Sequence, residues 1–79
     1  MFSKLELELF KLSGLPNKVV AKRFGVTEGA VKALYYRLYQ KLGVDNKVGA
    51  ILRGVELGAV TLDQIIYERT ENAISETED

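Results

Sequence analysis

Cysteine and histidine are both absent from this 79-residue chain. Without cysteine no disulfide can staple the fold, and no thiolate can ligate zinc. Without histidine the usual zinc site is excluded as well, so no metal and no cofactor is expected. Long hydrophobic runs are also missing. The aliphatic stretches are as short as Ala50-Ile51-Leu52, against the roughly 20 residues of a membrane span. The N-terminus lacks the basic stretch and apolar run of a targeting segment. A soluble, cytoplasmic protein without a membrane partner is expected. Catalysis is starved by the same shortages: there is no histidine, no cysteine, no phosphate-cradling glycine loop and no obvious carboxylate pair in a pocket. The chain is not expected to be an enzyme. A single domain this small buries only about 60% of its extended surface. Its remaining supports are good helix packing or a partner chain, which points to a homodimer.

Net charge is zero, but its distribution is not even. Residues 1–53 hold ten basic side chains against four acidic ones, a net +6. Residues 54–79 hold Arg69 alone against seven acids, a net −6. A basic body with an acidic tail fits a polyanion partner for the body, or else an ordinary solvated surface.

The chain reads as a series of helices. Ser3-Lys4-Leu5-Glu6 is a capping box, and Leu5, Leu9 and Leu12 then recur at helical spacing, with Leu7 and Phe10 widening the stripe. Gly14 is the expected stop. Leu15-Pro16-Asn17 connects to a second helix capped by Asn17 and running to about Phe24, with Val20, Ala21 and Phe24 inward. Gly25 stops it. Thr27 caps a third helix, with Glu28 in its first turn and Val31, Leu34, Tyr35, Leu38 and Leu42 on one face. A fourth helix follows Asp45-Asn46, with Val48, Ile51, Leu52 and Val55 inward and Gly58 as stop. Thr61-Leu62-Asp63-Gln64 is a further capping box. The expected architecture is all-α: a helix-turn-helix domain over 1–60, a short extra helix over 61–71 and a flexible acidic tail over 72–79. Two helices joined by a tight glycine turn are the helix-turn-helix plan.

If the leucine face of the third helix points inward, the opposite side shows Gly29, Lys32, Ala33, Tyr36, Arg37 and Gln40 along one stripe. Long donors beside small residues suit a helix that lies in the major groove of double-stranded DNA. Lys32 can donate to guanine, and Ala33 can lie against a thymine methyl. Tyr36, Arg37 and Gln40 can reach bases or backbone. A plain solvated face is the alternative. The second helix can hold phosphate through Lys18, Lys22 and the peptide N–H groups of its first turn at Asn17. Capping alone also explains Asn17. Tyr35 reads as core, while Tyr36 and Tyr39 suit either a groove contact or a protein-binding patch.

The segments Gly14-Leu15-Pro16-Asn17-Lys18-Val19-Val20-Ala21, Phe24-Gly25-Val26-Thr27-Glu28, Val31-Lys32, Lys41-Leu42-Gly43-Val44 and Asn46-Lys47 together resemble the LuxR-type (GerE-type) DNA-binding domain. The resemblance spans about Ser3 to Gly58. It implies a four-helix, DNA-binding fold that commonly dimerises through its last helix. It implies base-facing roles for Lys32, Ala33 and Tyr36, to which the stripe adds Gln40. It implies phosphate contact at Lys18 and a place near the backbone for Lys47. With these, Asn17, Lys22, Thr27 and Arg37 make up the expected phosphate set. Ala30 stands where the family usually has threonine, and Leu34 where it often has histidine. Glu8 takes a usually apolar position and Tyr36 an often basic one. Val26 to Lys32 is also similar to the helix-turn-helix of sigma-factor region 4.

On the fourth helix, Lys47, Ala50, Ile51, Gly54 and Leu57 form an expected dimer face, with Ala50 and Gly54 small enough for close approach. Packing of Ala50 and Gly54 on the first helix is the alternative. Two functions follow. One is a small transcription regulator reading a two-fold operator. The other is a protein-binding cofactor that meets RNA polymerase, a sigma factor or another regulator instead of DNA.

Overall fold

The computed structural model describes residues 1–66. Four helices follow in order: α1 (Lys4–Lys11), α2 (Asn17–Phe24), α3 (Glu28–Leu42) and α4 (Lys47–Glu56). No strand element separates them among the described residues. Local chemistry starts three of them. The Ser3 hydroxyl accepts the Glu6 N–H, and the Ser3 N–H donates to the Glu6 carboxylate at 2.8 Å, closing the expected capping box. The Thr27 hydroxyl accepts the Ala30 N–H at 3.1 Å. The Asn46 side chain accepts the Gly49 N–H at 2.8 Å. Each satisfies a first-turn N–H that has no partner within the helix.

α2 departs from expectation. Pro16 sits at its cap, and Asn17 is its first helical residue. No side chain caps this helix, and no acid lies in its first turn. The Pro16 ring brings φ to −60° ahead of the helix. α1 also stops early, at Lys11, where Leu12 closes the helix and the Ser13 hydroxyl donates to the Phe10 carbonyl. Gly14 is not needed for the stop.

Leu9, Phe10, Leu12, Val20, Val31, Tyr35, Leu38, Leu42 and Ala50 meet in one core. The Tyr35 hydroxyl is satisfied inside it, donating to the Leu9 carbonyl at 2.8 Å. α2 packs on α3, α3 on α4, and α4 back on α1. That last contact depends on Gly54. A Cβ there would lie 2.6 Å from Phe10 Cε1 and 2.8 Å from Cδ1. The close approach turns Ala50 and Gly54 inward, and both are buried.

The orientation of α4 corrects the sequence reading. Val48 and Leu52, expected in the core, are 66% and 64% exposed. Ala50 and Gly54, offered as a dimer face, are both buried, and Phe10 fills the space above Gly54. Leu5 on α1 is likewise exposed.

Beyond α4 the chain returns to α1. Val60 is buried, and the expected fifth helix is one 3₁₀ turn, Leu62–Gln64. The Thr61 N–H donates to Gln64 Oε1 at 3.0 Å, as its capping pattern predicts. Ile65 is nonetheless extended, and the Ile66 N–H donates to the Lys11 carbonyl instead of continuing a helix. The rest of that expected helix and the tail lie outside the described residues. The N-terminal residues are fastened too. Lys41 Nζ donates to the Met1 carbonyl and to Glu6, both at 2.9 Å, and lies 5.1 Å from the centre of the Phe2 ring.

Candidate nucleic-acid interface

Three residues, Gly25, Val26 and Thr27, join α2 to α3. Gly25 adopts φ 69°, a left-handed conformation that side chains with a Cβ rarely take. The Val26 N–H then reaches back to the Ala21 carbonyl at 3.0 Å, closing the end of α2. Thr27 starts α3 at once. The turn is short because glycine ends one helix and threonine begins the next.

α3 buries Val31, Tyr35, Leu38 and Leu42. The opposite face is therefore forced outward. Gly29, Lys32, Ala33, Tyr36, Arg37 and Gln40 are all exposed, Tyr36 to 61%. Neither Lys32 nor Arg37 takes part in a salt bridge among the described residues. Their charges face solvent without a partner there. Lys18, Lys22 and Thr27 are exposed as well. Asn17, Lys32, Ala33 and Tyr36 come together around one cleft, which Tyr35, Tyr39 and Asp45 complete. Its volume is about 470 Å³.

Lys47 lies outside this group. Its ammonium donates to the Leu15 carbonyl at 2.9 Å and lies 4.7 Å from the centre of the Tyr35 ring. It holds the loop before α2 against α3 and α4. Burial pulls its pKa below the ordinary lysine value. Burial also drives the Tyr35 hydroxyl well above the ordinary tyrosine value, with Tyr39 adding a smaller push, and it raises Tyr39. Both hydroxyls are neutral at physiological pH.

Tyr39, read from the sequence as a groove contact or part of a protein-binding patch, lines this cleft, as does Asp45, which had no assigned role there. Tyr39 follows Tyr35 by four residues, which puts the two rings on one helix face, with centroids 6.0 Å apart. That spacing was visible. The approach of Asp45, from the connection before α4, was not.

Two helices joined by this tight turn, the second presenting an exposed polar face, define a helix-turn-helix domain. The chain belongs to the GerE family, the bacterial regulatory proteins of the luxR family, which matches residues 1–53. That is a family of DNA-binding regulators rather than of enzymes. Comparison with curated proteins and with solved structures gives no match. No helix among the described residues is long and apolar enough to cross a membrane.

Proposed function

We propose that this chain is a transcription regulator that binds a two-fold site in double-stranded DNA, with α3 in the major groove. The observation that carries the reading is the outer face of α3. All six residues of the stripe are exposed on the second helix of a GerE-family helix-turn-helix. In this reading Lys32, Ala33, Tyr36 and Gln40 face bases. Lys32 donates to guanine, and Ala33 lies against a thymine methyl. Lys18, Lys22, Thr27, Arg37 and the first peptide N–H groups of α2 at Asn17 hold phosphates. The bare first turn of α2, with no acid and no capping side chain, supports that role.

The dimer face is the solvent side of α4. Val48 and Leu52 stand one helical turn apart, Leu57 is exposed, and Ile51 is half-buried beside them. A dimer of this kind would set two copies of α3 about 34 Å apart, in successive major grooves. Leu52→Glu is expected to give a monomer by sedimentation, with unchanged helix content, and to weaken operator binding.

Selection of bound duplexes from a random pool identifies the operator. Anisotropy titrations then test the contacts. Lys32→Ala should lose about 1–3 kcal/mol of specific affinity. Affinity should fall with salt at a log–log slope near −0.9 per phosphate contact. Unchanged affinity in Lys32→Ala would remove that residue as a base reader. Failure to retain any duplex at about 50 mM salt would overturn DNA binding and leave contact with RNA polymerase or another regulator.

A further inference from the structure

We propose that residues 67–79 of this chain dock on the outer face of α2 and α3, where they compete with DNA. The body leaves its cations unpaired on these two helices. Lys18, Lys22, Arg23, Lys32 and Arg37 are all exposed, and Glu28 is the one acid on either helix. Among the described residues, salt bridges engage Lys41 and Arg53 alone. Lys47 is held by the Leu15 carbonyl. Like charges crowded on one helix pair repel one another, and an anionic strand relieves that repulsion.

Charge and reach select the occupant. Residues 67–79 carry Glu68, Glu71, Glu76, Glu78 and Asp79 against Arg69, a net −4. Their starting point is fixed, because the Ile66 N–H donates to the Lys11 carbonyl at 2.6 Å. Lys11 stands six residues before Asn17, so α2 begins at most about 23 Å away at about 3.8 Å per residue. Asn17 and Lys32 line one cleft, which brings α3 close to the same point. Thirteen residues follow Ile66 and extend to about 43 Å, enough to cross both helices. Asp45 lines the cleft and repels carboxylates, so the segment lies along the outward stripe instead of entering the cleft. Tethering sets the effective concentration of a short segment in the millimolar range. Charge pairing with a dissociation constant of only about 1 mM then covers the face about half the time. Docking stands without the DNA-binding reading, whereas the competition rests on it.

The chain has no cysteine, so Ser75→Cys in the full chain takes a single nitroxide label. At about 0.01 M ionic strength, where screening is weak, the label is expected to broaden the amide signals of Lys18, Lys22, Lys32 and Arg37 selectively. Broadening should fade at about 1 M, where the Debye length is about 3 Å. It should also fade when Glu68→Gln, Glu71→Gln, Glu76→Gln, Glu78→Gln and Asp79→Asn are introduced together. Even broadening over the whole surface, or broadening that survives this neutral variant, overturns the docking. So does equal broadening of that face in an unlabelled, isotope-enriched chain mixed with the labelled one, which places the segment on a second copy. The neutral variant should bind duplex about two- to tenfold tighter at about 50 mM salt, and the two proteins should converge as salt rises. Equal affinity at low salt overturns the competition. Tighter binding without selective broadening reflects long-range charge alone and overturns the docking. If the chain retains no duplex, the label still decides where the segment lies.

Discussion

A single methyl group at position 54 would collide with the Phe10 ring, at 2.6 Å from one carbon and 2.8 Å from the next. Phe10 is fully buried and has little room to yield. Gly54→Ala is therefore expected to destabilise the fold by about 1–3 kcal/mol, the usual range for overpacking. A lower midpoint in urea, at unchanged slope, would register it. Adding Phe10→Leu to that variant should recover less than additive loss, since the two residues share one contact. Tyr35 is a second sensitive position. Its hydroxyl engages the Leu9 carbonyl across the core. Tyr35→Phe leaves that buried acceptor unmatched and is expected to cost about 1–3 kcal/mol, again read from urea unfolding.

The helices divide into what local chemistry specifies and what only packing decides. Thr27→Ala removes the cap of α3 and should cost about 1 kcal/mol in thermal or urea unfolding. Caps of this kind are legible in a sequence because serine, threonine or asparagine acts on N–H groups two or three residues away. Ser3, Thr27 and Asn46 all do so here. The outer stripe of α3 was legible for a related reason. Its inward leucines and valine leave only one face for Lys32, Ala33, Tyr36 and Gln40. The rotation of α4 was not legible. Val48, Ile51, Leu52 and Val55 make an apolar stripe, and the smaller Ala50 and Gly54 read as surface. What turns the helix is the bulk of Phe10, some forty residues earlier in the chain, which admits only small side chains. The contact of Lys47 with the Leu15 carbonyl was hidden for the same reason. A lysine at the start of a helix reads as a surface cation until a carbonyl from a distant loop is brought within reach. The cleft needs α2, α3 and Asp45 together, so no single segment foretells it.

At the scale of the whole molecule, stability should depend on alkaline pH. Tyr35 ionises near pH 10 in the unfolded chain, but its folded-state value lies far higher because burial disfavours the phenolate. As pH climbs past 10, the unfolded state loses a proton that the folded state keeps, so stability falls. Tyr39 acts in the same direction. Lys47 opposes them: its folded value is lowered, so the folded state releases a proton first and stability rises as pH approaches the ordinary lysine value. Urea midpoints measured from pH 8 to 11 should therefore decline above 10 in the wild type, and decline less in Tyr35→Phe. An identical profile for the two proteins would refute the role of Tyr35.

The fastening of Met1 to Lys41 reaches beyond stability. Lys41 belongs to the last turn of α3, and it grips the carbonyl of residue 1 rather than the terminal amino group. The bond therefore survives when another polypeptide is joined ahead of Met1. Phe2, held between the Lys41 ammonium and the Phe10 ring, gives that junction a second hold. A fused domain or fluorophore would thus be anchored to the far end of α3 instead of trailing from a loose leader. Its tumbling would report the orientation of the helix, and force applied through it would be transmitted to the outer stripe.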